Sequence, residues 1–225
     1  MLAGEPLITR VVQRVQEHGL VDELVVATDS PMVAQVVERA GVRAVLTGRG
    51  HLTGTDRVAE VASSPEFAGF DAVVNVQGDE PFLARDALAG AIERVAQGDE
   101  VGTAAAPLDP ALAHDPARVK VVTDGRGRTL YFSRAAIPHL RDAADLAPGL
   151  YWQHLGIYAY AREALRRWSA LEPSPAELAE RLEQLRALHH GLRIGVALLA
   201  EPVEPGVDTP DDLRRAEAHW QALQR

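Results

Sequence analysis

Strand-like and helix-like segments alternate along nearly the whole chain, and that alternation most restricts its fold. Ile8, Val11, Val12 and Val15 recur at helical spacing over residues 8–18, with Gly19 placed to end the helix. The β-branched run 24–28 (LVVAT) follows and leads into Ser30 as N-cap and Pro31 at the first helical position. A helix over 32–40 stops at Gly41, and 42–48 (VRAVLTG) reads as the next strand. Thr55 or Asp56 is placed to cap a helix reaching Val61. Residues 71–76 (DAVVNV) have the continuous apolar run of a strand buried on both faces, and QGDEP stops it before a helix from about 84 to 96.

The second half continues the rhythm. VGTAAAP, VKVVTD, TLYFS and LGIYAY read as strands, with DGRG at 124–127 as a tight turn that makes the middle two a hairpin. Residues 174–190 are expected to form the longest helix, with Pro175 at its start and Gly191 at its end. RIGVALLA is a last strand and 209–223 a last helix, while 140–150 is the best loop. No repeat, low-complexity tract or linker interrupts the chain, so a single domain over residues 1–225 is expected. The βαβ rhythm predicts an α/β fold: a mostly parallel sheet, helices on both faces, a small antiparallel insertion, and ligands beyond the carboxyl ends of strands.

Composition removes several function classes. The absence of cysteine excludes a thiolate nucleophile, a disulfide scaffold and any Cys-built metal site. With 23 basic against 32 acidic residues, the net charge of −9 argues against a nucleic-acid partner. Lys120 is the one lysine, so chemistry that needs a lysine has a single candidate. No apolar run approaches the roughly 18–20 residues of a membrane span, so no membrane partner is expected and cytoplasmic is the default. The patterns of P-loop kinases, dinucleotide dehydrogenases, zincins and α/β-hydrolases are missing.

Residues 74–81 (VNVQGDEP) carry the strongest chemical signal. A strand ends in Gln77, in Gly78, which lets a backbone approach closely, and in the adjacent carboxylates Asp79 and Glu80. Carboxylate oxygens at a strand rim suit a hard cation such as Mg²⁺ shared with substrate phosphates. The alternative is a polar turn with one carboxylate capping the next helix. In 206–212 (GVDTPDD), Thr209, Pro210 and Asp212 form a capping box. Asp208 lies outside it and is available as a second carboxylate. Residues 51–57 (HLTGTDR) enter a helix whose first N–H groups, with the Arg57 fork, could meet a phosphate or base edge. Arg134, His154, Tyr158, Glu183 and Gln184 are polar residues within apolar surroundings, where structural roles are the alternative for each.

Taken in order, VNVQGDEP, YFSRAAIP, HLGIY and GVDTPDDL, with VATD, HLTGTDR, VKVV and EPSPAELAERLEQLR, resemble the 3-deoxy-manno-octulosonate cytidylyltransferase family from about residue 2 to the last helix. The resemblance implies a Rossmann-like nucleotidyltransferase fold and a Mg²⁺-dependent reaction. CTP and 3-deoxy-D-manno-octulosonate would give the CMP-sugar and pyrophosphate for lipopolysaccharide synthesis. It implies Asp79 and Asp208 as catalytic metal ligands, and Thr53, Gly54, Arg57, Gln77 and Gly78 on the nucleotide side. Arg134 would pair with the sugar-acid carboxylate, with His154, Tyr158, Glu183 and Gln184 as the hydroxyl-binding shell. It further implies a cytoplasmic homodimer. The family's opening strand and loop, P-A-R-x-x-S-T/S-R-L/F-P-G-K-P-L, has no counterpart before residues 2–7, and Lys120 belongs to the separate VKVV segment. Low activity and stability are therefore expected of the chain as written. The competing expectations are a non-catalytic sugar-acid-binding paralogue, or a cytidylyltransferase for a related sugar acid.

Overall fold

The apolar runs and their caps become eight α-helices and eight β-strands in the computed structural model, which describes residues 1–51 and 53–224. The described chain divides into two compact units, one of residues 1–61, 76–85 and 203–225, the other of residues 62–75 and 86–202.

In the first unit, α1 (Leu7–His18) ends at Gly19, whose φ of 62° is the left-handed conformation that glycine adopts without a Cβ penalty. Strands β1 (Val25–Thr28) and β2 (Arg43–Leu46) pair in parallel, with Val25 opposite Arg43 and Thr28 opposite Leu46. Between them runs α2 (Pro31–Arg39), where the Ser30 hydroxyl accepts from the Val33 N–H at 3.4 Å. Val12, Val37 and Val42 form one core cluster of this unit, packed by Ile8, Leu24, Val26, Val33 and Ala44. α3 (Gly54–Ala62) begins earlier than the sequence suggests: the Thr53 hydroxyl accepts from the Asp56 N–H at 3.1 Å, so Thr53 caps it rather than Thr55 or Asp56. α8 (Pro210–Leu223) carries the expected capping box, with Thr209 and Asp212 exchanging hydrogen bonds. The Arg10 guanidinium lies 4.4 Å from the Trp220 ring centre, and Phe82 meets His219 edge-on at 4.8 Å.

The second unit holds a six-stranded sheet. β3 (Ala72–Asn75), β4 (Val101–Pro107), β5 (Lys120–Thr123), β6 (Thr129–Ser133), β7 (Trp152–Ala161) and β8 (Ile194–Leu198) pair in the order β6-β5-β7-β4-β8, with β3 also on β7. The expected α/β class holds, but the sheet is mixed. β7 runs antiparallel to β3, β4 and β5, while β4 and β8 are parallel. At 10 residues, β7 is long enough to serve three neighbours, and apolar periodicity carries no information about strand direction. DAVVNV is not buried on both faces: in β3 only Asn75 is buried, Val73 and Val74 are half-buried and Ala72 is exposed. The β5–β6 hairpin and its turn form as expected, with the Gly127 N–H donating to the Asp124 carbonyl at 3.0 Å.

α4 (Arg85–Ala96) lies on the sheet through glycines. A Cβ on Gly102 would come within 1.9 Å of the Ala91 carbonyl oxygen, and one on Gly90 within 2.4 Å of Ala197 Cβ. α5 (Arg162–Ser169) buries Trp168 beside Tyr158 and Tyr160. The long helix expected over 174–190 is two helices, α6 (Pro175–Glu180) and α7 (Gln184–His189), each shorter than the 14-residue α8. They part at Arg181, which adopts φ 54°. No helix among the described residues is long and apolar enough to cross a membrane.

Candidate functional site

The turn after β3 and the segment before α8 present carboxylates to one another. Gln77 and Glu80 close a turn, the Glu80 N–H donating to the Gln77 carbonyl at 3.3 Å. The Asp79 carbonyl accepts the Val207 N–H at 2.8 Å, which ties residues 206–208 alongside this turn. Gly206 permits the approach: a Cβ there would stand 3.0 Å from a Glu80 carboxylate oxygen and 3.2 Å from the Asp79 carbonyl. Asp208 therefore sits within hydrogen-bonding reach of Asp79.

Burial, and then the charge and hydrogen bond of Asp208, raise the Asp79 carboxyl above its ordinary value. Glu80 is pushed up to about 7, first by burial and then by the charges of Asp79 and Asp208. Asp79 and Glu80, whose charged forms are disfavoured, lie beside the charge of Asp208, a repulsion that a divalent cation would relieve. Among the described residues no group of three or more His, Cys, Asp or Glu side chains has the arrangement of a complete metal cage. Asp79 and Asp208 offer a pair of carboxylates of the hard-oxygen kind that Mg²⁺ takes, an ion that usually draws its other ligands from water and substrate oxygens.

On the same unit, Arg57 lies where β1 and β2 end. The Arg57 guanidinium donates to the Thr47 hydroxyl at 2.5 Å and lies 3.4 Å from the Asp29 carboxylate. Thr53 caps α3, Gly54 is exposed at its first turn, and Leu52 of the same motif lies outside the described residues. Gly78 is exposed, with Ile8 directly behind it. His51 forms a close contact with Glu60, which also accepts the Gly48 N–H at 3.1 Å.

The residues assigned to the sugar acid lie in the second unit. Arg134 is already engaged: its Nε donates to the Glu180 carbonyl at 2.7 Å, one Nη to Pro116 at 2.8 Å and the other to Arg181 at 3.3 Å. Of its five N–H groups, three therefore satisfy backbone carbonyls, two of them at the end of α6. The Glu180 carboxylate returns the contact, accepting the Ser133 hydroxyl at 2.6 Å and the Arg134 N–H at 2.9 Å. This exchange ends α6 and lets Glu183 and Gln184 open a new helix, with Gln184 buried. His154 and Tyr158 are adjacent, their ring centres 5.4 Å apart. Burial lowers His154 to about 3, so its imidazole is neutral. Burial, then the neighbouring Tyr160 and Glu183, raises the Tyr158 phenol well above its usual value.

Sequence reasoning did not assign three residues the roles they take here. Glu80 reads in the sequence as one of two adjacent carboxylates beside Asp79, with a helix cap as the alternative, but has no place among the expected site residues. Thr103 is buried in β4, and its signal was a hydroxyl within an otherwise apolar VGTAAAP. Lys120 is fully buried and donates to the carbonyls of Asp115 at 2.9 Å, Arg118 at 2.6 Å and Arg134 at 2.5 Å. Nothing in VKVV announced that role.

Known proteins resemble this chain in sequence and in fold. The chain matches the Cytidylyltransferase family over residues 1–194. It is 55% identical over 227 residues to the 3-deoxy-manno-octulosonate cytidylyltransferase of Gemmatimonas aurantiaca, covering 99% of this chain and 87% of the relative. It is 46% identical to the enzyme of the same name from Methylococcus capsulatus, covering 97% and 88%. A solved CMP:2-keto-3-deoxy-manno-octonic acid synthetase complexed with CTP superposes with a TM-score of 0.90 at 37% identity, over 100% of this chain and 91% of that one. A 4-diphosphocytidyl-2C-methyl-D-erythritol synthase from Anaerococcus prevotii shares the fold, at a TM-score of 0.64 and 13% identity. Carboxylates juxtaposed after a strand, on a fold shared with nucleotidyltransferases, and this identity over nearly the full chain place the protein in the 3-deoxy-manno-octulosonate cytidylyltransferase family.

Proposed function

We propose that the chain is a Mg²⁺-dependent cytidylyltransferase that joins 3-deoxy-D-manno-octulosonate to CMP. The anomeric oxygen of the sugar acid forms a bond to the α-phosphorus of CTP, the bond to the bridging oxygen breaks in line, pyrophosphate leaves, and the hydroxyl proton passes to solvent. The observation that carries this reading is the juxtaposition of Asp79 and Asp208 through the Val207–Asp79 hydrogen bond, in a chain of this family.

Asp79 and Asp208 hold the cation. When bound, Mg²⁺ supplies charge stabilisation for phosphate oxygens. Gln77, Gly78, Thr53, Gly54 and Arg57 line the nucleotide side, with Arg57 held by Thr47 and Asp29 in a fixed fork. The two remaining N–H groups of Arg134 receive the sugar-acid carboxylate. His154, Tyr158, Glu183 and Gln184 recognise its hydroxyls, His154 as a neutral ring and Tyr158 as a neutral phenol at physiological pH. The proposed working form is one nucleotidyltransferase domain per chain, in a cytoplasmic homodimer feeding lipopolysaccharide synthesis.

The test is pyrophosphate release from CTP, measured with each component omitted in turn. Release that requires both the sugar acid and Mg²⁺ is the expected result. Release that ignores the sugar acid, or none with any sugar acid of this class, overturns the reading. Sedimentation velocity checks the dimer.

A further inference from the structure

His154 and Tyr158 are four residues apart on one strand, which in regular pleating would separate them by about 13 Å. Their ring centres are 5.4 Å apart. The cause is an irregularity in β7: Thr103 of β4 stands opposite Tyr158 while the next residue, Ala104, stands opposite Leu155. Gly156 and Ile157 therefore have no opposite residue on β4, and the strand bulges there.

The Thr103 side chain spans that bulge. Its Oγ1 lies 2.7 Å from the Ile157 carbonyl oxygen, 3.4 Å from the Leu155 carbonyl oxygen and 2.9 Å from His154 Nε2. A hydroxyl has one proton, and two oxygens at 2.7 Å require it between them. The Thr103 proton is thus committed to the Ile157 carbonyl, and its oxygen can only accept from His154. Nε2 therefore carries the ring proton, and Nδ1 is left as an acceptor. Among the described residues no hydrogen bond reaches Nδ1.

We propose that Thr103 is a positioning residue for sugar-acid recognition: it pins the β7 bulge that brings His154 beside Tyr158, and fixes His154 with its proton on Nε2, so that Nδ1 accepts from a substrate hydroxyl. The last step rests on the function proposed above; the tautomer and the bulge do not. Because burial keeps the ring neutral, Nδ1 remains an acceptor across the physiological range. A side chain lacking the hydroxyl loses both tasks, whereas serine keeps them.

The experiment combines ring ¹⁵N NMR of the free protein with steady-state kinetics of Thr103→Val and Thr103→Ser. In the unsubstituted protein the directly bonded ring proton is expected on Nε2. In Thr103→Val the two ring nitrogen resonances move toward each other and the KM for the sugar acid rises about five- to tenfold, with the KM for CTP within about twofold. Thr103→Ser restores both. A proton on Nδ1 in the unsubstituted protein overturns the proposal, as does a folded Thr103→Val protein with unchanged resonances and unchanged KM. Should Thr103→Val not fold, the tautomer of the unsubstituted protein and the Thr103→Ser kinetics still decide. An Nε2 proton in a protein that releases no pyrophosphate would remove the function and leave the positioning of the ring intact.

Discussion

Lys120 is the only lysine of the chain, and its ammonium donates to three backbone carbonyls rather than facing solvent. Burial pushes its pKa down, while the charges of Asp115 and Glu180 oppose that shift. Lys120→Met retains the aliphatic volume but removes the donor from all three carbonyls, of which that of Asp115 keeps the Arg118 N–H at 3.2 Å. It is expected to lower stability by about 2–4 kcal/mol, read from the midpoint of urea unfolding. Asp79 is the opposite case, a group that resists its own charge. Asp79→Asn is expected to raise the melting temperature of the metal-free protein, by relieving desolvation and repulsion. The same change should lower pyrophosphate release at least about 100-fold. A variant that keeps full activity removes Asp79 from the metal site.

At the scale of elements, turn and cap chemistry was legible in the sequence, and long-range pairing was not. Ser30, Gly19 and the Thr209–Asp212 box act where their spacing placed them, because each bonds within a few residues of itself. The break between α6 and α7 was invisible because its cause, Arg134, is 46 residues away in the chain from Glu180. Residues 174–190 carry helical signals throughout, and tertiary hydrogen bonds to the carbonyls of Glu180 and Arg181 override them. The packing of α4 on the sheet is likewise set by a near contact of backbones. Gly102→Ala would press a methyl group into the Ala91 carbonyl and is expected to destabilise by at least about 2 kcal/mol. A thermal melt unchanged from the parent protein would contradict that packing.

Over the whole molecule, the carboxylates set opposing pH trends. Glu80, at about 7 in the folded protein against an ordinary 4.5, binds its proton more tightly folded than unfolded. Stability should therefore rise as pH falls from 8 through 7 toward 4.5, by at most roughly 1.4 kcal/mol per pH unit for such a group, and Asp79 adds in the same direction. Asp212, held down by the Thr209 hydroxyl and N–H, behaves oppositely. So does Glu177, where the Arg186 guanidinium and the Ser174 N–H outweigh the burial that would raise it. Their contribution is present above the ordinary carboxylate range and is lost as pH drops through their lowered values. The metal-free protein is thus expected to be most stable near pH 5. Mg²⁺ should raise the melting temperature at pH 8 and flatten the rise toward pH 6, with EDTA reversing both. A melting curve equally pH-dependent with and without Mg²⁺ would remove the cation from the acidic cluster.

The sequence by itself determined the α/β class, the order of most elements (α5 and the division of α6 from α7 excepted), most of their caps and the motifs that carry the family resemblance. These depend on apolar periodicity and on bonds between residues close in the chain. Only the tertiary structure decided that the larger sheet is mixed, that Arg134 and Lys120 satisfy backbone carbonyls, that Glu80 joins Asp79 and Asp208, and that Thr103 holds His154. Strand direction, burial and the sharing of a single hydroxyl proton depend on groups far apart in the chain, and only the folded protein brings them within hydrogen-bonding distance.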